Sequence, residues 1–179
     1  YAGGGNFFIL APVRAAEQVK GIQREISRRL LEAHEGGLHL AMAWSPVQAG
    51  QFRVGHFADA WEALHQALGK TKHRPLTYLD DDILAKHLGS AMGAGGDRDT
   101  ECSVCGREEK GMKEEEDIRK CGLCRSFEAL GNELAKAKWL VSVHCTPQAL
   151  TGPARDWRSV LRSFGMDFWA VEDLHQVSL

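Results

Sequence analysis

No run in this 179-residue sequence approaches the roughly 20 consecutive apolar residues that a membrane-spanning helix needs, and no basic, apolar and cleavable leader opens it. A cytoplasmic protein without a membrane partner is therefore expected. An excess of one charge sign is also missing. The 22 Lys and Arg face 24 Asp and Glu, giving a net charge of -2 and a pI near 6.5. No global basic field gathers nucleic acid, so any such contact must be local. Cysteine is scarce, and the odd total of five does not suit a disulfide framework. Disorder is not the default reading, because 44% hydrophobic residues suffice for one ordinary core or two small ones.

What the sequence does contain alternates between short apolar runs and amphipathic stretches. Gly3, Gly4 and Gly5 precede the run Asn6 to Ala11, which Pro12 closes, and this reads as a turn entering a short strand. Val19, Ile22, Ile26 and Leu30 recur at helical spacing between Arg14 and His34, and Gly36-Gly37 stops that helix. Leu38 to Trp44 reads as a second strand, ended by Ser45-Pro46. Phe57, Trp61, Leu64 and Leu68 mark a second helix, expected to end at Gly69, with its ring stripe in the core. The basic cluster from Lys70 to Arg74 reads as a solvated helix end or a phosphate contact. The Gly- and Asp-rich stretch 89–100 marks a connector. Phe127, Leu130, Leu134 and Ala137 then give a helix, followed by a strand over 139–143, a helix over 157–164 and a strand over 167–171.

One motif carries specific chemistry. Cys102-x2-Cys105-x15-Cys121-x2-Cys124 sets two thiol pairs on two tight knuckles, a spacing that can close a tetrahedron of thiolates around Zn²⁺. A four-thiolate shell leaves no open position for water, which makes the expected metal structural. The intervening segment 107–120 is almost entirely charged residues and Gly, so it is expected to be a mobile loop held at its ends by the metal. Cys145 stands apart and reads as a small buried hydrophobe.

Three weaker signals surround it. Gly3-Gly4-Gly5-Asn6 could present backbone N–H groups to a phosphate, or simply form a hairpin turn. Tyr78-Leu79-Asp80-Asp81 has the paired carboxylates of a metal-dependent polymerase hairpin, but the following Ile83, Leu84, His87 and Leu88 make Asp80 to Asp82 better read as the start of a helix. The eight histidines are scattered, with no candidate nucleophile and orienting acid beside any of them.

Taken in order, the segment from Tyr1 to Pro12, a long helix, a strand and the paired cysteines before Phe127-x2-Leu130-Gly131-x2-Leu134 resemble the large subunit of type III-A CRISPR effector complexes, the Csm complex. The resemblance implies an α+β chain: a partial ferredoxin-like palm, a helical linker with a four-cysteine zinc element, and the start of a further α/β segment. Its expected divisions are 1–50 for the end of the first palm, 51–95 for a helical connector, 96–138 for the zinc element and 139–179 for the following domain. An internal fragment is expected. The whole subunit would join ATP into cyclic oligoadenylates with Mg²⁺ or Mn²⁺ when guide RNA meets target RNA, alongside other effector subunits and sometimes a fused HD nuclease. Gly3, Gly4, Gly5 and Asn6 would then help hold ATP. Neither a His-Asp motif nor Gly-Gly-Asp-Asp occurs here, so this segment alone is expected to be inert. The alternative is a non-catalytic zinc-ribbon adaptor for protein or nucleic acid, which a charged face or an aromatic stacking platform would favour. An independent cyclase is disfavoured, because no paired acids follow the glycines.

Overall fold

The computed structural model describes residues 2–3, 5–53, 55–88, 100–110, 112–115 and 117–177. Among the described residues it is a mixed α+β structure with three two-stranded antiparallel sheets. The chain divides into two compact units, one formed by 1–28 with 39–81 and the other by 29–38 with 82–179.

In the first unit, β1 (Ala2–Gly3) pairs with β2 (Asn6–Phe7). Gly5 holds φ at +76° in the turn between them, a value that glycine adopts without steric cost. The expected strand over 6–11 stops at Phe7, and 38–44 forms no strand. Beyond Asn6 and Phe7, which pair with β1, neither run meets a partner ladder among the described residues, and Ile9 and Leu10 stay exposed. An apolar run becomes a strand only where a second backbone accepts its hydrogen bonds. Among the described residues this unit is therefore mixed α+β with one two-stranded sheet.

Helix α1 (Ala16–His34) follows the apolar spacing closely, and Glu35 and Gly36 turn left-handed to end it. Helix α2 (Phe57–Lys72) runs straight through Gly69, where its expected end lay, and stops just before His73, Arg74 and Pro75. One glycine costs a helix only about 1 kcal/mol, whereas proline also bars the preceding residue from continuing it. Helix α3 (Asp81–Leu88) starts at the acids, as the helix reading expects. The core of this unit is small: Ala60, Leu79, Gln23 and Ser27 are its buried side chains among the described residues.

The second unit is better filled. The segment between the knuckles, expected to be a mobile loop, instead forms a hairpin of β3 (Lys113–Glu115) and β4 (Ile118–Lys120). Helix α4 (Gly122–Lys136) leads to β5 (Trp139–His144), which pairs with β6 (Met166–Val171) across helix α5 (Trp157–Ser163). Asp156 caps α5 by accepting from the Ser159 N–H at 2.8 Å. Ser126 Oγ accepts from Trp157 N–H at 2.9 Å and donates to Leu123 O at 2.8 Å, which ties α5 to α4. Ala33, Cys102, Cys121, Leu123, Ala154 and Val160 form one buried cluster, with Met112, Cys124, Leu150 and Phe164 against it. Two thiols thus sit at the centre of the core.

Candidate metal centre

The first knuckle is shaped by its own backbone. Gly106 N–H donates to Cys102 O at 2.9 Å, and Gly106 takes φ +72° to complete the turn. Cys102 N–H donates to Arg107 O at 2.8 Å, and Ser103 N–H reaches Arg119 O in β4 at 2.9 Å. The second knuckle is the N-terminus of α4. Cys121 is its N-cap, accepting at Sγ from Cys124 N–H at 3.4 Å, while Cys121 N–H itself points to Cys102 Sγ at 3.3 Å. The helix thus begins within the second Cys pair, five residues before Phe127, where the apolar spacing starts.

These turns bring together the four cysteines singled out by their spacing. The four Sγ atoms all lie within 4.8 Å of one another, and Cys105 and Cys121 are 3.7 Å apart. Thiolates about 2.3 Å from one tetrahedral metal lie about 3.8 Å from each other, so the donor set fits a single ion. Cys102 and Cys121 are 2% and 0% exposed, while Cys105 opens to solvent. The arrangement is compatible with zinc held by Cys102, Cys105, Cys121 and Cys124.

Electrostatics argue the same way. Burial pushes the Cys102 thiol up, but backbone N–H groups of Cys121, Cys105 and Val104 outweigh that and lower it to about 6. Burial pushes Cys105 up, and it pushes Cys124 far above the ordinary thiol range, where the neighbouring sulfurs add to it. One thiolate forms readily and crowded neighbours resist following it. A divalent cation removes that conflict, because its charge stabilises all the anions at once.

The surroundings hold this centre in place through two residues that the spacing does not reveal. The Arg107 guanidinium, 9% exposed, pairs with Glu35 at 2.7 Å. It also donates to Ala33 O at 2.7 Å and Ala154 O at 2.6 Å. It thereby satisfies a carbonyl in the last turn of α1 that has no helical partner. Glu109 accepts from Gly122 N–H at 3.3 Å, placing a carboxylate at the start of α4. Gly122 leaves no room for a larger residue, since a Cβ there would lie 3.0 Å from Arg155 O. Arg107 and Glu109 sit in a charged stretch and act on partners far away in sequence, so no local pattern marks them. Nearby, burial and then the Arg107 charge lower the pKa of His34, which stacks on Phe127 with centroids 6.5 Å apart.

The other sequence candidates are not drawn to this centre. Gly3 and Asn6 lie in the β1–β2 hairpin, Gly5 lies in its turn, and Gly4 lies outside the described residues. Asp80 faces Arg24 at 3.6 Å. The four cysteines are the only group of three or more His, Cys, Asp or Glu placed to hold a metal among the described residues. Cys145 is half-buried, and its N–H donates to Gly165 O at 2.9 Å.

Residues 1–87 match the family model described as Csm1 subunit domain B. This supports a relationship of the chain to Csm1, the large subunit of type III-A CRISPR complexes. No curated protein and no solved structure matches the chain.

Proposed function

We propose that this chain is a segment of a type III CRISPR large subunit, with residues 1–50 the end of its first palm, 51–95 a helical connector, and Cys102, Cys105, Cys121 and Cys124 holding a structural zinc ion in the linker that follows. The observation that carries the reading is the match to Csm1 subunit domain B, joined in one chain to four thiols in tetrahedral reach.

In this reading the metal supplies folding energy and no chemistry, because four thiolates leave no coordination position for substrate. The divisions at 1–50, 51–95, 96–138 and 139–179 are then functional divisions. The hairpin carrying Gly3, Gly4, Gly5 and Asn6 offers backbone N–H groups at the edge of an ATP pocket whose catalytic acids belong to another part of the subunit. ATP, Mg²⁺ or Mn²⁺, guide RNA, target RNA and neighbouring effector subunits are the expected partners of the whole subunit in the cytoplasm.

Two measurements test this together. Metal analysis of the purified chain should give one zinc per molecule. ATP turnover with Mg²⁺ or Mn²⁺ should be absent for this chain and present for the full gene product in its target-bound complex. Turnover in neither, with zinc present, would assign the chain to the zinc-ribbon adaptor class instead.

A further inference from the structure

The rings that helical spacing assigns to a core lie half open. Phe52 is 53% exposed, and Phe57 and Trp61 are each 38% exposed. They touch in sequence: Phe52 to Phe57 at 5.4 Å between centroids, Phe57 to Trp61 at 5.9 Å and Trp61 to His65 at 5.0 Å. Phe8 closes the set, 4.4 Å from Trp61 and 5.9 Å from His65. All five belong to the first unit. A connected ring surface left open to water is uncommon on a folded chain and marks a contact face.

Among the charged residues of α2, helical geometry puts only Lys72 on the ring stripe. Phe57, Trp61 and His65 advance four residues at a time along α2, so their stripe drifts slowly around the helix. At 100° per residue Lys72 falls on that stripe between Trp61 and His65, while Asp59 and Glu62 fall outside it. Arg53, next to Phe52, is exposed, as are Lys70, His73 and Arg74 at the end of the helix. The near-neutral net charge conceals this asymmetry. The first unit holds eight Lys and Arg against six Asp and Glu, and the second holds fourteen against eighteen.

We infer that the ladder of Phe8, Phe52, Phe57, Trp61 and His65 is a stacking platform for the bases of a single-stranded nucleic acid, with Lys72 and Arg53 facing its phosphates. Open rings bind bases by their flat faces, and every base has one. A duplex hides those faces within its own stack, so the platform selects single strands. The spacing of cations beside rings supplies the backbone contact that stacking alone lacks. This goes beyond the zinc centre, which lies in the other unit; a stacking platform suits the zinc-ribbon alternative as well, so the inference rests on the proposed function only for which strand is bound in the cell.

The test is fluorescence anisotropy of a labelled twelve-nucleotide oligoadenylate RNA, titrated with the metal-loaded chain, against a duplex of the same length. Single strand is expected to bind more tightly than duplex. Trp61→Ala should weaken binding on the order of tenfold, within the range for loss of one stacked base. Trp61→Phe should retain most of it, which separates loss of a ring from loss of the fold. Lys72→Gln should lower the salt slope of log K by about 0.7, the value for one phosphate contact on a single strand. No binding, equal binding to duplex, or a Trp61→Ala variant that binds as the parent does would overturn the inference. So would self-association abolished by Trp61→Ala without oligonucleotide binding, which would make the face a protein contact. Zinc content measured on every variant keeps these outcomes separate from the metal reading.

Discussion

At the scale of single residues, Arg107 joins the end of α1 to the segment that precedes α5. Its nitrogens serve Glu35, Ala33 O and Ala154 O, and it follows the first knuckle by two positions. Removing it leaves an acid with its partner gone and two carbonyls short of a donor. Losing one partner of a buried, hydrogen-bonded charge costs about 3–5 kcal/mol, and Glu35 at 26% exposure discounts that, so Arg107→Ala is expected to cost about 2 kcal/mol. Arg107→Lys should recover only part, because one ammonium cannot span three acceptors from a fixed fork. Urea midpoints of the zinc-loaded variants measure both. Gln23 presents the opposite case. It is 2% exposed and its Oε1 has no hydrogen-bond partner. Gln23→Met keeps the volume and removes an unsatisfied acceptor, so it is expected to be neutral or to stabilise by up to about 1 kcal/mol. A loss above that in the same urea assay would mean the amide serves a partner.

Among elements, legibility followed the source of each hydrogen bond. Helices α1, α2 and α5 were readable because their bonds are internal and their apolar spacing is local. The strand read over 139–143 forms as β5, one residue longer, and pairs with β6, the next strand in the chain. The run 38–44 looked equally strand-like, but Leu38 and Trp44 stay exposed and no ladder forms. The four cysteines were legible as one site because a fixed spacing encodes their knuckles, whereas the Arg107 clasp joins residues 74 apart and left no trace. The β5–β6 pair also carries a pH dependence. Burial pushes the carboxyl of Asp167 up, but hydrogen bonds from Arg162 and Arg158 and their charges outweigh it and hold its pKa below 3.8. A depressed carboxyl contributes stability above its unfolded value and loses it as pH falls through the folded value. Asp167→Asn should therefore destabilise the unit at neutral pH and flatten its stability profile below 3.8. Protonation of metal thiolates is common to both proteins, so the difference between their pH melts isolates Asp167. Parallel profiles would show that the two arginines contribute no net pairing.

For the whole molecule, the position of the thiols decides what metal loss does. Cys102 and Cys121 are in the same buried cluster as Ala33, Leu123, Ala154 and Val160, so the metal centre and the core of the second unit are one object. The first unit has its own buried residues, Ala60 and Leu79, and none of the four cysteines. A structural zinc contributes on the order of 10 kcal/mol of folding energy in small modules, comparable with the entire stability of a typical domain. Removing it should therefore unfold the second unit and spare much of the first. Hydrogen exchange after treatment with a strong chelator tests this directly. Amides of α4, α5 and β6 should lose protection, while those in the middle of α2 keep theirs, and added zinc should restore the former. Cys121→Ala should reproduce the chelated pattern without chelator, since it removes a ligand and the N-cap of α4 together. Uniform loss across α2 as well would mean that both units unfold as one cooperative body. Unchanged protection throughout would show that the thiol cluster is held by packing alone, and the structural-metal reading would then fail.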